Sequence, residues 1–304
     1  MGMARKITVL LMGGLGNQMF QYAAGFSLAK KNNAQLFLDT TLLNDRFPRK
    51  EFTFRTLDLD IFGIAPNFTT FSKVSQAMPI PGVWLGIDYS LIKARDVLGI
   101  QKTIKERSPV FDPDIFNMES NALLFGYWQS EKYFENVKDD LRAVFDFKIP
   151  LAGVAKEIAE KIKSTNSVAL FVRRGDYVNF ARVRAEMGDT NITYYKNAIT
   201  YIAERVNNPA FFIFSNDIEW CRDNLKIPFP AMYIDNDPAK VGPKFSYQLQ
   251  HMSLCKHNII ANSTFPWWGA WLNPNPQKIV IAPRQWNLLL PSGQGPVPSD
   301  WIKM

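Results

Sequence analysis

Two cysteines, Cys221 and Cys255, leave no material for a disulfide framework in a chain of 304 residues. Two histidines, His251 and His257, leave little for a zinc centre or a histidine-based catalytic dyad. No run approaches the roughly 18 consecutive apolar residues that a spanning helix needs. The apolar run Ile7 to Met12, after Arg5 and Lys6, ends in Gly13-Gly14 without a small-x-small cleavage pattern. It reads as a buried strand rather than a signal peptide, and with the missing disulfide pattern it leads us to expect a cytoplasmic protein. Charge of neither sign dominates: 35 Lys and Arg against 28 Asp and Glu leave +7. An excess of that size suits an anionic small molecule, a phosphate-bearing substrate or an acidic membrane surface, and does not demand nucleic acid. The 47% hydrophobic and 21% charged content excludes a disordered, collagen-like or coiled-coil chain.

At about 150 residues per domain the length predicts two domains. The segment Asp146 to Gly153, containing Pro150, is the best boundary, giving 1–150 and 151–304. The first forty residues read as strand (Lys6 to Met12), Gly-rich turn, helix (Asn17 to Lys31) and strand (Gln35 to Leu38). Residues 41 to about 120 are Phe-rich and Pro-punctuated, with a helix expected near Tyr89 to Leu98. A strand is expected at Leu123 to Tyr127 and a helix over Lys132 to Phe145. The second half alternates: strands at Ser167 to Val172, Ala210 to Phe214, Met232 to Asp235, Asn258 to Ala261 and Lys278 to Ala282, with helices between them. That alternation predicts an α/β fold, parallel sheets with helices on both faces.

Gly14 and Gly16 follow the first strand, and Asp39 lies where a ribose-binding acid of a dinucleotide fold would sit. The third glycine position is Met19, however, and a bulky residue there counts against a dinucleotide. What remains is a backbone that can approach a ligand, with Asn17 at a helix N-terminus, or simply a tight turn. Arg173-Arg174-Gly175-Asp176 ends a strand, the edge at which open α/β sheets bind ligands. Two guanidinium groups there suit phosphate oxygens, or belong to a surface ion-pair cluster. Arg174-Gly175-Asp176 also spells an adhesion tripeptide, set aside for want of a secretion signal. Asn262-Ser263-Thr264 precedes Pro266 and a helix, so Ser263 or Thr264 can cap it, and its N-terminus is a ready anion site. Trp267, Trp268 and Trp271 at helical spacing read as packing. Asp217 either accepts from a nucleoside hydroxyl or caps the next helix. His251 and Cys255 read as a buried pair rather than metal ligands. Trp128 and Gln129, after a strand, combine an aromatic face with an amide, as a sugar-binding cleft does, or form an aromatic core edge.

Four segments in order resemble the α-1,2-fucosyltransferases of glycosyltransferase family 11: Gly13 to Tyr22, Gly126 to Gln129, Arg173 to Tyr177, and Cys255 to Leu272. The resemblance covers nearly the whole chain. It implies a GT-B-like fold, two Rossmann-like domains facing across a cleft. The N-terminal domain would be acceptor-side and the C-terminal one would bind the nucleotide sugar. It implies GDP-fucose as donor substrate, no metal and no cofactor. Arg173 would grip the leaving β-phosphate and Arg174 would help hold the donor. Ser263 and Thr264 would bind the pyrophosphate, with Gly14, Gly16, Asp217, Gln248, Asn262 and Phe265 completing the donor set. Asn17 would sit near the reacting sugar. Trp128 and Gln129 would meet the acceptor, a galactoside-terminated oligosaccharide or glycolipid. Asp176 is the candidate base. No nucleic acid is implied, and at most a peripheral membrane contact.

Two positions depart from the family pattern: Phe171 stands where it has His, and Gln248 where it has an acid. Both would face the guanine. Two readings of other classes therefore stand beside the transferase. One is a dinucleotide-dependent oxidoreductase, from Gly14, Gly16 and Asp39. The other is a glycan-binding protein with impaired donor binding, from Phe171 and Gln248.

Overall fold

The computed structural model describes residues 5–48, 50, 53–118, 121–188 and 191–304, without the side chain of Asp176. The chain forms two compact units, Met1–Asp146 and Phe147–Met304. The first holds a five-stranded sheet in the order β3-β2-β1-β5-β4. Its strands are β1 (Lys6–Leu10), β2 (Gln35–Asp39), β3 (Asn67–Phe68), β4 (Lys102–Lys105) and β5 (Ala122–Phe125). Its helices are α1 (Leu15–Lys31), α2 (Thr41–Asn44), α3 (Thr70–Ala77), α4 (Val83–Val97) and α5 (Lys138–Val144). The second unit holds a six-stranded sheet, β11-β10-β9-β6-β7-β8. These strands are β6 (Asn166–Val172), β7 (Pro209–Ser215), β8 (Ala231–Ile234), β9 (His257–Ile259), β10 (Val280–Ala282) and β11 (Ile302–Lys303). Its helices are α6 (Gly153–Lys163), α7 (Asp176–Asn179), α8 (Ala181–Met187), α9 (Ile192–Ala203), α10 (Ile218–Asn224), α11 (Pro238–Val241), α12 (Ser246–Leu254) and α13 (Thr264–Leu272).

Every described strand pair is parallel. That follows from strands buried on both faces: Ser167 to Val172 of β6 are all buried, which only helices on either side can achieve. Val168, Leu170 and Val172 pack with Ile199 and Ile202 of α9 and with Phe211 and Ile213 of β7. Trp267, Trp268 and Trp271 are core residues, and the indole N–H of Trp267 donates to Pro296 O at 3.0 Å.

Two elements differ from expectation. The helix expected over Lys132 to Phe145 is two 3-10 turns, Glu131–Tyr133 and Glu135–Val137, before α5 begins. Tyr133 and Phe134 are both buried, and adjacent core residues do not fit the single stripe of one amphipathic helix. Helix α4 starts six residues earlier than expected, after Gly82, whose φ of 75° reverses the chain.

Helix α1 comes close to β1 at Gly25, not at Met19. A Cβ on Gly25 would lie 2.3 Å from Val9 Cγ2, so no larger residue fits, while Met19 is simply core. Asp39 is likewise an internal residue. Its carboxylate accepts from Thr41 N–H at 2.9 Å and from the hydroxyls of Thr69 and Ser72, each at 3.2 Å. A carboxylate engaged in this way, 2% exposed, is not available to a ribose. The dinucleotide reading loses its acid.

Asp88 of α4 is buried beside Asp39, and burial followed by that neighbouring carboxylate raises its carboxyl to about 7. The unfolded value is 3.8, so between those limits the folded chain holds the extra proton. Stability from this pair is therefore greatest below pH ~4 and falls as pH rises to ~7. Asp88→Asn should keep the hydrogen bond, remove that slope and stabilise the fold at pH 8 by at most ~4 kcal/mol. Thermal melts of both proteins from pH 5 to pH 8 check this, and parallel pH curves would refute it.

Candidate active site

The second unit gathers its polar residues where β6, β7 and β9 end. Arg173 and Arg174 leave β6 together. The backbone N–H of Arg174 donates to Asn216 Oδ1 at 2.9 Å. Its guanidinium lies 3.9 Å from the Trp220 ring centroid and donates to Asp217 Oδ2 at 3.3 Å. Asp217 also accepts from Trp220 N–H, capping α10. Of the two roles expected of Asp217, the structure shows the helix cap, and the same carboxylate also steadies the Arg174 cation.

Gly175 turns the loop with φ at 56°, and a Cβ there would lie 2.1 Å from Asn216 Nδ2. Tyr177 then ties two loops together. Its hydroxyl donates to Asn262 O at 3.0 Å, and its ring lies 5.1 Å from the Arg173 guanidinium carbon. The cation after β6 and the start of α13 after β9 therefore belong to one loop cluster.

Ser263 is the N-cap residue of α13, yet its side chain accepts no capping bond. The dipole end and the N–H groups of the first turn are left without the usual hydroxyl, as an anion-binding helix start requires. Thr264 and Phe265 open that turn, and Pro266 suits it. Asn262 is 2% exposed, and its amide donates to Met187 O at 2.7 Å and to Trp286 O at 3.1 Å. Its side chain anchors the loop, and its carbonyl receives Tyr177. Phe171 is 3% exposed and packs against Phe265, ring centroids 5.9 Å apart. Gln248, on α12, is 2% exposed, and its Nε2 has no hydrogen-bond partner among the described residues.

In the first unit the turn after β1 is braced by buried amides. Gln18 donates to Gly13 O and Thr56 O, and Gln21 accepts from Met12 N–H and donates to Gly126 O. Gly14 is the N-cap residue of α1, so Gly16 and Asn17 lie in its first turn. Gln129 donates to Asn17 Oδ1 at 3.0 Å, joining two residues that the sequence placed 112 apart. Trp128, in contrast, is 1% exposed and meets Tyr133 edge-on, so it is a core residue; the exposed ring of that turn is Tyr127. The left-handed backbone of Trp128, φ 56°, is held by Glu106, which accepts from the N–H groups of Tyr127 and Trp128 at 2.7 and 2.9 Å. Burial raises the Glu106 carboxyl above its ordinary range, and those two bonds oppose the rise.

Comparison with known proteins decides the family. A model described as Glycosyl transferase family 11 matches residues 105–288. The chain belongs to glycosyltransferase family 11. It is 32% identical to an Escherichia coli protein named alpha-1,2-colitosyltransferase over 301 residues, 98% of each chain. It is 30% identical to the O-antigen biosynthesis glycosyltransferase WbnK of Escherichia coli, over 91% of this chain and 93% of that one. It is 24% identical to galactoside alpha-(1,2)-fucosyltransferase 1 of Mico humeralifer, over 87% of this chain and 65% of that one. Among solved structures, a mutant of Arabidopsis thaliana FUT1 in complex with GDP matches with a TM-score of 0.50 at 10% identity, over 92% of this chain and 71% of that one. The fold is of the GT-B kind, with a parallel α/β sheet in each unit.

Sequence reasoning missed four residues of this family 11 chain that brace the candidate loops, Glu106 in the first unit and Tyr177, Asn216 and Trp220 in the second. Each acts through a partner distant in sequence, so no local pattern marks it. His251 and Cys255 are buried, and His251 Nε2 meets Ala155 O at 2.8 Å; burial lowers the imidazole and raises the thiol. Among the described residues no group of three or more His, Cys, Asp or Glu is placed to hold a metal ion.

Proposed function

We propose that this family 11 glycosyltransferase moves L-fucose from GDP-fucose to the 2-hydroxyl of a terminal galactoside, inverting the anomeric centre. The observation that carries the reading is the loop cluster of the second unit. Arg173 and the uncapped start of α13 are joined through Tyr177, a fixed cation beside free helix N–H groups. That pairing suits a pyrophosphate. In this reading the second unit binds the donor and the first the acceptor.

As the bond from fucose C1 to the phosphate oxygen breaks, charge grows on the departing GDP. Arg173 and the N–H groups at Thr264 and Phe265 stabilise that charge more than they stabilise the ground state. The acceptor oxygen bonds to C1 from the opposite face and its proton passes to a base. Asp176 is our candidate; it opens α7, and its side chain lies outside the described residues. The exchange needs no divalent ion when guanidinium supplies the charge. Gln248 is our candidate to meet guanine, through an unpaired Nε2–H that must first become accessible, while Phe171 packs on Phe265. Asn17 and Gln129, held to each other, meet the acceptor side.

A second reading rests on the relative named alpha-1,2-colitosyltransferase: the donor sugar would be colitose, which lacks the fucose 3-hydroxyl. A site built to hydrogen-bond that hydroxyl rejects the deoxy sugar strongly, whereas a site that does not discriminates weakly. A donor screen with lactose as acceptor, read by nucleotide release and by the linkage formed, tests both. GDP-fucose should be preferred over GDP-colitose at least tenfold in kcat/KM. The reverse order would establish the second reading. Release from a non-guanosine donor alone would sink both, and no release from any donor would leave glycan binding.

A further inference from the structure

Helix α4 buries one face, carrying Asp88 and Ile92, against the first unit. A second face of the helix is also apolar. Val83, Ile87, Leu91 and Leu98 follow one another at helical spacing on a single strip, and all are exposed, Leu98 at 71%. Val97 widens the strip, and Met78, Ile80 and Ile100 extend it at the two ends, every one exposed. No described helix is long and apolar enough to cross a membrane, so this strip is not part of a span.

Exposure of charge in the segment that carries the strip is sorted by sign. Between residues 70 and 107 the cations are Lys73, Lys93, Arg95, Lys102, Lys105 and Arg107, and all are exposed. The acids there are Asp88, Asp96 and Glu106, and none is exposed. Lys93 and Arg95 flank the strip on either side of the helix. At the C-terminal end of α4 lies a depression of about 460 Å³ lined by Asp96, Gly99, Gln101, Lys102 and Thr103. Gln101 Nε2 and Thr103 Oγ1 there are buried without hydrogen-bond partners among the described residues. Asp96 is engaged with the Thr103 N–H at 2.6 Å.

From these features we infer that α4 and its flanks dock on an anionic lipid surface. The helix lies in the interfacial plane, its aliphatic strip enters the headgroup boundary, and the cations meet lipid phosphates. Aliphatic side chains flanked by Lys93 and Arg95, in a segment whose other cations are also exposed, fit this occupant better than the alternatives. A second copy docked about a twofold axis would set cation against cation. Nucleic acid would use the cations but would not bury Ile87, Leu91 and Leu98. Interfacial helices bind by this combination of apolar area and attraction to anionic lipid. The inference does not depend on which sugar the chain transfers.

Vesicle flotation tests it. The full chain should float with phosphatidylglycerol-containing vesicles and at least tenfold less with pure phosphatidylcholine, and added salt should weaken binding. The triple variant Ile87→Ser, Leu91→Ser, Leu98→Ser and the double variant Lys93→Glu, Lys102→Glu should each lose tenfold or more. Circular dichroism, melting temperature and nucleotide release with a soluble acceptor should match the parent, because these side chains are exposed and none belongs to the second unit, which carries the loop cluster. Failure of the parent to float, or equal flotation of all three proteins, would overturn the proposal. So would a parent dimer that the triple variant dissolves in sedimentation equilibrium, since the strip would then be an interface between copies.

Discussion

Arg173→Ala should lower kcat for sugar transfer about a thousandfold, on the order of 4 kcal/mol of transition-state stabilisation. KM for the donor should change far less. The reason is where the charge develops. In the proposed reading the ground-state pyrophosphate charge is spread over several oxygens and met by the start of α13 as well. As the sugar departs, charge concentrates on one leaving oxygen, and a fixed guanidinium gains most there. Its place is held by the Tyr177 ring beneath it and by the Tyr177 bond to Asn262. Arg173→Lys should recover part of the loss, since it keeps the charge and loses the planar fork. Steady-state kinetics with GDP-fucose, beside calorimetry of GDP binding, separates the two effects. An Arg173→Ala protein with unchanged kcat would remove Arg173 from the chemistry.

Gly175→Ala should cost about a hundredfold in kcat/KM while the chain remains folded. Two physical costs coincide. An alanine at φ 56° costs roughly 1–2 kcal/mol. Its Cβ would also lie 2.1 Å from Asn216 Nδ2, far inside contact distance. Asn216 must then leave, and it is the acceptor for the Arg174 backbone N–H. The loop that presents both arginines loses its brace. The carbonyl of Gly175 also accepts from the N–H groups of Val178 and Asn179, the last two residues of α7, so the shift spreads to Tyr177. The combined variant Gly175→Ala, Asn216→Ala removes the clash and keeps the φ cost, so it should stay impaired. Nucleotide-release rates and melting temperatures measured together check this. Full activity in the single variant would show that the loop relaxes without moving the guanidinium groups.

Much of the fold was legible locally. Strands such as Ser167 to Val172 announce themselves by an unbroken apolar run, and alternation with amphipathic helices implies parallel pairing. The segment between 41 and 120 was not legible in that way. There Asp39, Thr69, Ser72 and Asp88 satisfy one another across three elements, and α4 carries apolar residues on both faces, so its period is blurred. Part of the site was legible too: an Arg-Arg pair at a strand end and a Ser-Thr-x-Pro helix start are patterns of a few residues each.

What the sequence alone determined is the material: apolar runs of strand length, glycines at two turns, cations at a strand end, and an ordered set of motifs that marks the family. These depend on neighbours within a few positions, where propensity and chain geometry act directly. Only the tertiary structure decided which polar atoms are already spent. Asn262 is anchored to Met187 and Trp286, Asp217 to Arg174 and Trp220, and Trp128 is enclosed while Tyr127 is exposed. A side chain's availability to a ligand is set by burial and by hydrogen bonds to partners tens of residues away, and no reading of adjacent residues contains them.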